Sequence, residues 1–351
     1  MTSRERMLAA LEHQTPDRVP TDIWAVGEAW EKLRRHFGEG VDVKAALHID
    51  GFAWAGPKYV GPAIPPATPD EQVDLWGIRR KPMPYADGVY WEVSHHPLAA
   101  AETIDDLEAY DWPQADWFDC SGMAEQCRAG RLTHLVQWGY MAPFTYHLYL
   151  RGLENALTDP LERPDFTHHL LDRLCRFFHE HHRQAFEACD GLLDVAQVTD
   201  DYGMQTGPIM SLKTFREFYR PHLKRFCDLC HDFGVKVFHH DDGAIRDFLP
   251  DLVELGIDIL NPIQWRCPGM DMPGLKRDFG RRLVFHGAID NQQTLPFGTP
   301  EDVRAEVRRA IDELAADRTG YILAPCHNIQ ANTPVENILA MYDEARRYGR
   351  F

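Results

Sequence analysis

The chain has 351 residues, 44% of them hydrophobic, and a formal net charge of −17 at pH 7. This length and apolar content suit one large core, such as a single α/β barrel with extensions. The strong negative charge argues against nucleic acid and against an anionic membrane surface as partners. No apolar stretch reaches the length of a membrane span or of a signal peptide. Eight cysteines without a framework spacing indicate free thiols, so we expect a cytoplasmic protein.

The N-terminal part of the chain alternates helices with extended segments. Its predicted elements are a capped helix at residues 1–12, a first barrel strand at 22–26 and a charged helix at 28–37. Residues 57–113 differ in character because they are rich in Pro and Trp. They contain a hairpin signal, the pair Asp87-Gly88 between two extended segments. We interpret residues 57–113 as an insertion into a single domain of residues 1–351, with the hairpin near the barrel mouth.

From residue 132 onward, short apolar segments alternate regularly with amphipathic stretches. The predicted strands are residues 132–138, 192–198, 235–238, 258–264, 282–286 and 321–325. The predicted helices are residues 144–157, 165–189, 211–233, 244–256, 275–279, 299–314 and 335–347. Pro221 is expected to split the third of these helices. Strands separated by helices predict a parallel α/β fold, closed as a (β/α)8 barrel.

Polar side chains collect just after the predicted strands. They are Asp200 and Asp201, His239 to Asp242, Asn261 and Gln264, His286 and Asp290, and Cys326 and His327. In a barrel the C-terminal ends of the strands share one rim, and that rim carries the active site. A ring of such groups is costly to bury without a purpose. Single members, such as Asp242 and Asp290, equally suit helix caps and turns.

His240, Asp242 and Cys326 form the candidate metal site. His240 and Asp242 are two residues apart, so on an extended chain both side chains point the same way. Cys326 follows the last strand and reaches the same rim. One nitrogen, one carboxylate and one thiolate leave a fourth zinc position open, as in catalytic zinc sites. The alternative for Cys326 is a small buried core residue.

The remaining candidate residues are expected to act on the substrate or to contact it. We expect Asp201, His239 and His286 to orient the substrate or to move protons. The side chains expected to contact substrate are Trp24, Trp138, Asn261, Gln264, Asp290 and His327.

Short motifs over most of the chain carry a family resemblance. They read Thr15-Pro-Asp-Arg-Val-Pro20, Thr103-Ile-Asp-Asp-Leu107, Asp200-Asp-Tyr-Gly-Met-Gln205, Phe238-His-His-Asp-Asp-Gly243, Asn261-Pro-Ile-Gln264, Phe285-His-Gly-Ala-Ile-Asp290 and Cys326-His-Asn-Ile-Gln330. With these motifs the chain resembles the uroporphyrinogen decarboxylase (URO-D) superfamily, which contains the decarboxylase and cobalamin-linked methyltransferases. The resemblance implies a (β/α)8 barrel.

The two branches of that superfamily differ in motif. The decarboxylases carry an Arg-rich N-terminal segment that grips the carboxylates of the substrate, whereas residues 23–35 here are basic only at their end. The methyltransferases bind zinc through a His-x-Cys pair and a later Cys. His240 and Cys326 match the first and last of these ligands, and Asp242, a harder ligand than thiolate, stands at the middle one. The chain therefore looks closer to the cobalamin-dependent methyltransferase branch.

The resemblance implies methyl transfer between a corrinoid and a small acceptor such as a thiol. The implied cofactors are zinc at the rim and methylcobalamin carried by a separate corrinoid protein, and a homodimer is compatible with the chain. Two alternatives stay open. One is a metal-free decarboxylase or lyase, in which Asp201 and the rim histidines protonate a carbanion. The other is a catalytically silent binder of a corrinoid or tetrapyrrole.

Overall fold

The computed structural model describes residues 1–85 and 88–351. The strands are β1 (Phe52–Trp54), β2 (Lys58–Tyr59), β3 (Gln72–Val73), β4 (Arg79–Tyr85), β5 (Gly88–His95), β6 (Phe118–Asp119), β7 (Leu135–Gln137), β8 (Val195–Thr199), β9 (Lys236–His240), β10 (Ile259–Asn261), β11 (Val284–Ile289) and β12 (Tyr321–Pro325). The helices are α1 (Ser3–Leu11), α2 (Gly27–Phe37), α3 (Val43–Ala46), α4 (Ile104–Glu108), α5 (Met123–Arg131), α6 (Pro143–Arg151), α7 (Leu153–Glu162), α8 (Pro164–Cys189), α9 (Leu212–Thr214), α10 (Arg220–Asp232), α11 (Leu249–Leu255), α12 (Met272–Phe279), α13 (Thr294–Phe297), α14 (Pro300–Leu314) and α15 (Val335–Tyr348).

A curved parallel sheet of seven strands, in the order β1-β7-β8-β9-β10-β11-β12, forms most of a barrel. The segment at residues 20–26 completes it. Thr21 pairs in parallel with Leu323, and Ala25 pairs with Ile329. On the other side, the backbone amide of Gly51 donates to the carbonyl of Thr21. This segment is the predicted first strand, and the architecture is the predicted (β/α)8 barrel.

Three local features of the fold are set by a very short strand, by a glycine and by a proline rather than by the hydrophobic periodicity of the sequence. The strand β1 is only three residues long and was missed, because so short a segment has no readable period. Gly152, at φ +84°, ends α6 and so divides the helix predicted at residues 144–157. Pro221 lies in the first turn of α10, after a π-helical turn at Phe215–Tyr219. The predicted split of that helix is therefore observed.

Helix α1 closes the N-terminal end of the barrel. Met7, Ala10 and Leu11 pack against an apolar layer inside the barrel. That layer consists of Leu135, Val195, Phe238, Ile259, Val284 and Ile322. Since strand side chains repeat every two residues, the next inward positions are Gln137, Gln197, His240, Asn261 and His286. An apolar floor thus lies directly beneath a polar layer.

The strands β4 and β5 form the predicted antiparallel hairpin. The turn signal at Asp87 lies outside the described residues. The chain that follows the hairpin is anchored by Arg151, whose side chain is 1% exposed. Its guanidinium donates to the carbonyl of Ala101 at 2.9 Å and to Asp159 at 2.7 Å. Within the described part of the chain, no helix has both the length and the apolar character needed to cross a bilayer.

Candidate active site

His240, Asp242 and His327 converge at the C-terminal rim of the barrel. His240 ends β9, Asp242 follows it, and His327 lies two residues beyond β12. Asp242 Oδ2 lies 3.8 Å from His240 Nε2 and 3.7 Å from His327 Nε2. One potential ligand atom from each side chain lies within 4.8 Å of the other two. This spacing suits a single metal ion held by two imidazoles and one carboxylate.

A chain of buried hydrogen bonds runs from this cluster into the barrel. His240 Nδ1 donates to Asn261 Oδ1 at 2.5 Å, and Asn261 Nδ2 donates to His286 Nδ1 at 2.7 Å. His286 Nε2 then donates to Asp22 Oδ2 at 3.0 Å. The directions follow from Asn261, whose oxygen only accepts and whose amide nitrogen only donates. His240 therefore carries its hydrogen on Nδ1 and presents the lone pair of Nε2 to the rim.

Burial shifts two members of the cluster toward their neutral forms. It raises the pKa of Asp242, although the two neighbouring histidines act in the opposite direction. It also lowers the pKa of His327, against the attraction of Asp242. Neutral imidazole is the form of histidine that binds metals. The electrostatics of the rim therefore leave His327 ready to act as a ligand.

Cys326 lies beside the cluster but is not one of its three members. Its Sγ donates to the carbonyl oxygen of Ile263 at 3.3 Å. The side chain is 3% exposed, and burial raises the pKa of the thiol well above its ordinary value. The structure thus places His327, expected from the sequence to contact substrate, where Cys326 was expected as a ligand.

A cavity of about 640 Å³ lies above the cluster, within the usual size range of small-molecule sites. Its lining residues are Met83, Pro84, Tyr85, Tyr90, Glu92, Gln205, Asp242, Gln264, Asn291, Gln292, Cys326, His327 and Gln330. None of these described lining residues is Lys or Arg. The hairpin β4–β5 forms one wall, and Tyr85 Oη donates to Gln330 Oε1 at 2.8 Å. The cavity lining mixes apolar and polar groups, and two carboxyl groups, those of Glu92 and Asp242, lie there with the imidazole of His327.

Several predicted residues support the rim through the backbone. Asp201 accepts a hydrogen bond from the amide of Asp242 at 3.2 Å. Gln264 lines the cavity and accepts from the amide of Gly243 at 2.8 Å. Asp290 accepts from backbone amides at the start of α13, so it closes a turn. These contacts fix the loops that carry the cluster.

The predicted aromatic residues have different positions. Trp24 lies inside the barrel beside His240, with ring centroids 5.4 Å apart. Trp138 is buried in the helix layer against His181 and His182 and is not part of the cavity lining. The expected contact of Trp138 with substrate therefore has no support in this geometry.

His239 lies on the opposite face of β9 from His240. It is fully buried between the sheet and the helices, and its ring stacks on Tyr202 at 6.4 Å. Burial lowers the pKa of His239 to about 3. A direct role for His239 at the substrate does not match this placement, because its side chain points away from the rim.

Other residues at the site were missed from the sequence. Asp22 ends the hydrogen-bond chain, and its only signal was its position in the first strand. Tyr85, Tyr90 and Gln330 line the cavity. For the two tyrosines the only signal was the prediction that the hairpin lies near the mouth, and for Gln330 it was its place in the motif at residues 326–330.

The architecture and the rim cluster define a (β/α)8 barrel with a ligand pocket at the C-terminal ends of its strands. Residues 93–348 match the family model described as uroporphyrinogen decarboxylase (URO-D). The chain therefore belongs to the uroporphyrinogen decarboxylase family.

Curated relatives and a solved structure give further similarities. The uroporphyrinogen decarboxylase of Ralstonia nicotianae is 28% identical over 105 residues, covering 29% of this chain and 27% of its own length. That of Anaeromyxobacter dehalogenans is 26% identical over 144 residues, covering 40% and 38%. The chain thus matches less than half the length of either relative. A methyltransferase from Methanosarcina mazei superposes with a TM-score of 0.68 and 19% identity over 99% of both chains, which shows a shared fold.

Proposed function

We propose that the protein is a methyltransferase that moves a methyl group between a corrinoid and a small acceptor, with a metal held by His240, Asp242 and His327. The observation that carries this proposal is the cluster of three ligand atoms within 4.8 Å at the base of a cavity. The superposition on the methyltransferase from Methanosarcina mazei is consistent with it.

The donor set fits zinc. Two imidazole nitrogens and one carboxylate oxygen leave a fourth position for an exogenous ligand. The hydrogen bond from His240 to Asn261 orients the ring and strengthens its donor nitrogen. Zinc bound there would lower the pKa of a coordinated thiol and keep it as thiolate at neutral pH.

The side chains around the cavity would hold and shield the acceptor. Tyr85 and Tyr90 of the hairpin cover one side of the pocket, and the bond from Tyr85 to Gln330 ties the hairpin to the rim. Asp201 holds Asp242 through its backbone amide, and His286 holds His240 through Asn261. We therefore assign positioning roles to Asp201 and His286. Acceptor and methyl donor meet at the open side of the cavity, where we place the corrinoid of a separate protein.

The proposal is tested by metal content and methyl transfer together. Zinc is measured by mass spectrometry in the wild-type protein, in His240→Ala and in His327→Ala. Transfer from methylcobalamin to a thiol is followed by the change in corrinoid absorbance. The control is His36→Ala, because His36 is an exposed residue of α2 and belongs neither to the rim cluster nor to the cavity lining.

We expect near-stoichiometric zinc and methyl transfer in the wild type and in His36→Ala, and a loss of both in the two rim variants. Equal zinc in all four proteins would contradict the ligand assignment. Tight corrinoid binding without turnover on any thiol would favour the silent binder.

A carboxy-lyase is the second candidate, favoured by the names of the two curated relatives. Against it, none of the described cavity-lining residues is Lys or Arg, although a substrate rich in carboxylates calls for such partners. Decarboxylation of uroporphyrinogen that survives metal chelation would support this candidate over methyl transfer.

A further inference from the structure

A second cavity of about 640 Å³ opens at the other end of the barrel. It lies between the start of α1, the loop before the first strand, the segment after α3 and the end of α15. Its lining residues with charged or titratable side chains are Arg6, Asp17, Arg18, His48, Arg346 and Arg350, and the ammonium group of Met1 also lies there, 3.0 Å from Asp17. Four guanidinium groups thus surround one depression in a chain whose net charge is −17.

Two of these arginines are neutralised inside the protein. Arg6 bridges two carboxylates, at 2.6 Å from Asp17 and 2.6 Å from Asp50. Arg18 pairs with the same Asp50 at 2.8 Å, and Asp50 is fully buried. Asp17, the carboxylate among the lining residues, is therefore engaged by Arg6, and Asp50 behind the cavity is engaged by both Arg6 and Arg18.

The other two arginines have no such partner. Neither Arg346 nor Arg350 lies within 4.0 Å of a carboxylate among the residues that the structure describes. Arg346 Nη1 lies 3.4 Å from Nε2 of His48. The backbone of Arg350 pairs in antiparallel fashion with Arg18, so their side chains start side by side. Like charges directly opposite each other on such a pair are destabilising.

We propose that this cavity is a binding site for a small anion that carries at least two negative charges on phosphate oxygens. Guanidinium groups bind phosphate oxygens in paired, directional hydrogen bonds. Arg346 and Arg350 supply the uncompensated charge, and the fixed pair of Arg6 and Arg18 forms the base of the site. The volume suits a small molecule, and the site is independent of the reaction proposed at the opposite rim.

The test is calorimetric titration of the full chain with inorganic pyrophosphate at low ionic strength. We expect saturable binding in the wild type and at least about tenfold weaker binding in the double variant Arg346→Gln/Arg350→Gln, since each charged hydrogen bond contributes measurably. The matched control is Arg347→Gln. Arg347 lies on the same helical turn but pairs with Asp343 at 3.1 Å and does not line the cavity, so its variant should bind as the wild type does.

Two further variants test whether binding depends on the positive charge at positions 346 and 350 and whether the anion binds away from the proposed metal site. Arg346→Lys/Arg350→Lys keeps the charge and should bind more tightly than the glutamine double variant. His240→Ala, which alters the proposed metal site, should bind pyrophosphate normally. Citrate, titrated in parallel, should bind more weakly than pyrophosphate.

Four results of the titrations above would overturn the proposal, and a fifth comes from the melting experiment below. They are the absence of saturable binding, equal loss in Arg347→Gln, loss in His240→Ala alone, and tighter binding of citrate than of pyrophosphate. A thermal melt of each variant shows whether it is folded. A double glutamine variant that melts with the wild type and binds pyrophosphate equally well would also count against the site.

Discussion

The side-chain oxygen of Asn261 lies 2.5 Å from Nδ1 of His240 and thereby decides which nitrogen of that ring faces the rim. The same amide donates to His286, which in turn donates to Asp22. One asparagine therefore fixes the tautomers of two histidines. The proposed metal site depends on residues that touch neither metal nor substrate.

The role of Asn261 is tested by two substitutions at one position. Asn261→Ala removes the acceptor for His240 Nδ1, and we expect zinc affinity to fall by about 10–100-fold, as for other groups that orient a metal-binding histidine. Asn261→Asp keeps an acceptor there and should retain most of the affinity. Competition with a chromophoric chelator measures both. Equal affinity in the two variants would show that the hydrogen bond does not control the site.

The identity of the third metal ligand is tested by substituting the adjacent residues Cys326 and His327 one at a time. Cys326→Ser should retain zinc, because the Cys326 thiol donates to the Ile263 carbonyl and lies outside the three-atom cluster. His327→Ala should weaken zinc binding by roughly tenfold or more. Cys267→Ser serves as a control for the loss of a thiol. If Cys326→Ser loses zinc while His327→Ala keeps it, the thiolate is the true third ligand.

The hairpin over the cavity is tested through Tyr85. Tyr85→Phe removes the hydrogen bond to Gln330, which is worth about 0.5–1.5 kcal/mol. We expect the KM for the acceptor to rise by a few-fold, with faster hydrogen exchange in β4 and β5. Tyr348→Phe is the control, since it also removes a tyrosine hydrogen bond, that to Asp312 at 2.9 Å, but lies on α15 outside the cavity lining. Identical hydrogen-exchange rates of β4 and β5 in both variants would show that the hydrogen bond from Tyr85 to Gln330 does not hold the hairpin to the rim.

Buried His147 gives a prediction about stability and pH. Its ring is fully buried, its Nδ1 lies 2.9 Å from Tyr219 Oη, and burial lowers its pKa to about 3. Because the unfolded chain takes up a proton near pH 6.5 and the folded protein does not, this histidine reduces stability as pH falls below that value. Above pH 6.5 it has no such effect.

The variant His147→Gln should therefore lose less stability on acidification than the wild type. Between pH 7.5 and pH 5 we expect its deficit in unfolding free energy to shrink by about 2 kcal/mol. Urea unfolding at both pH values measures this change. The exposed residue His95 supplies the control, and His95→Gln should show a constant offset. A constant offset for His147→Gln as well would mean that His147 titrates normally in the folded protein.

The sequence predicted the barrel and the rim because apolar strands ended in polar residues at the correct places. It did not resolve which neighbour faces inward. His239 and His240 are adjacent on β9, whose last four residues are all buried, so no alternation of polar and apolar residues marks the inner face. The same holds for β12, buried throughout, so the pattern of the strand gave no reason to prefer His327 over Cys326, and Cys326 was predicted as the ligand.

Long-range contacts set the remaining limit on prediction. Asp22 and His286 are 264 residues apart in the chain, and only barrel closure brings them together. The cavity wall formed by Tyr85 and Tyr90 depends on where the hairpin lies over the rim. Neither placement leaves a local pattern in the residues themselves.

Helix α1 closes the N-terminal end of the barrel through its apolar contacts with the interior, and this closure determines how ligands reach the proposed active site. Because that end is closed, substrate and product enter and leave by the same opening, at the C-terminal rim. In the proposed reaction, the methylated product must leave through this opening before the next acceptor can bind. Such a dead-end chamber imposes a strict order of events on each turnover.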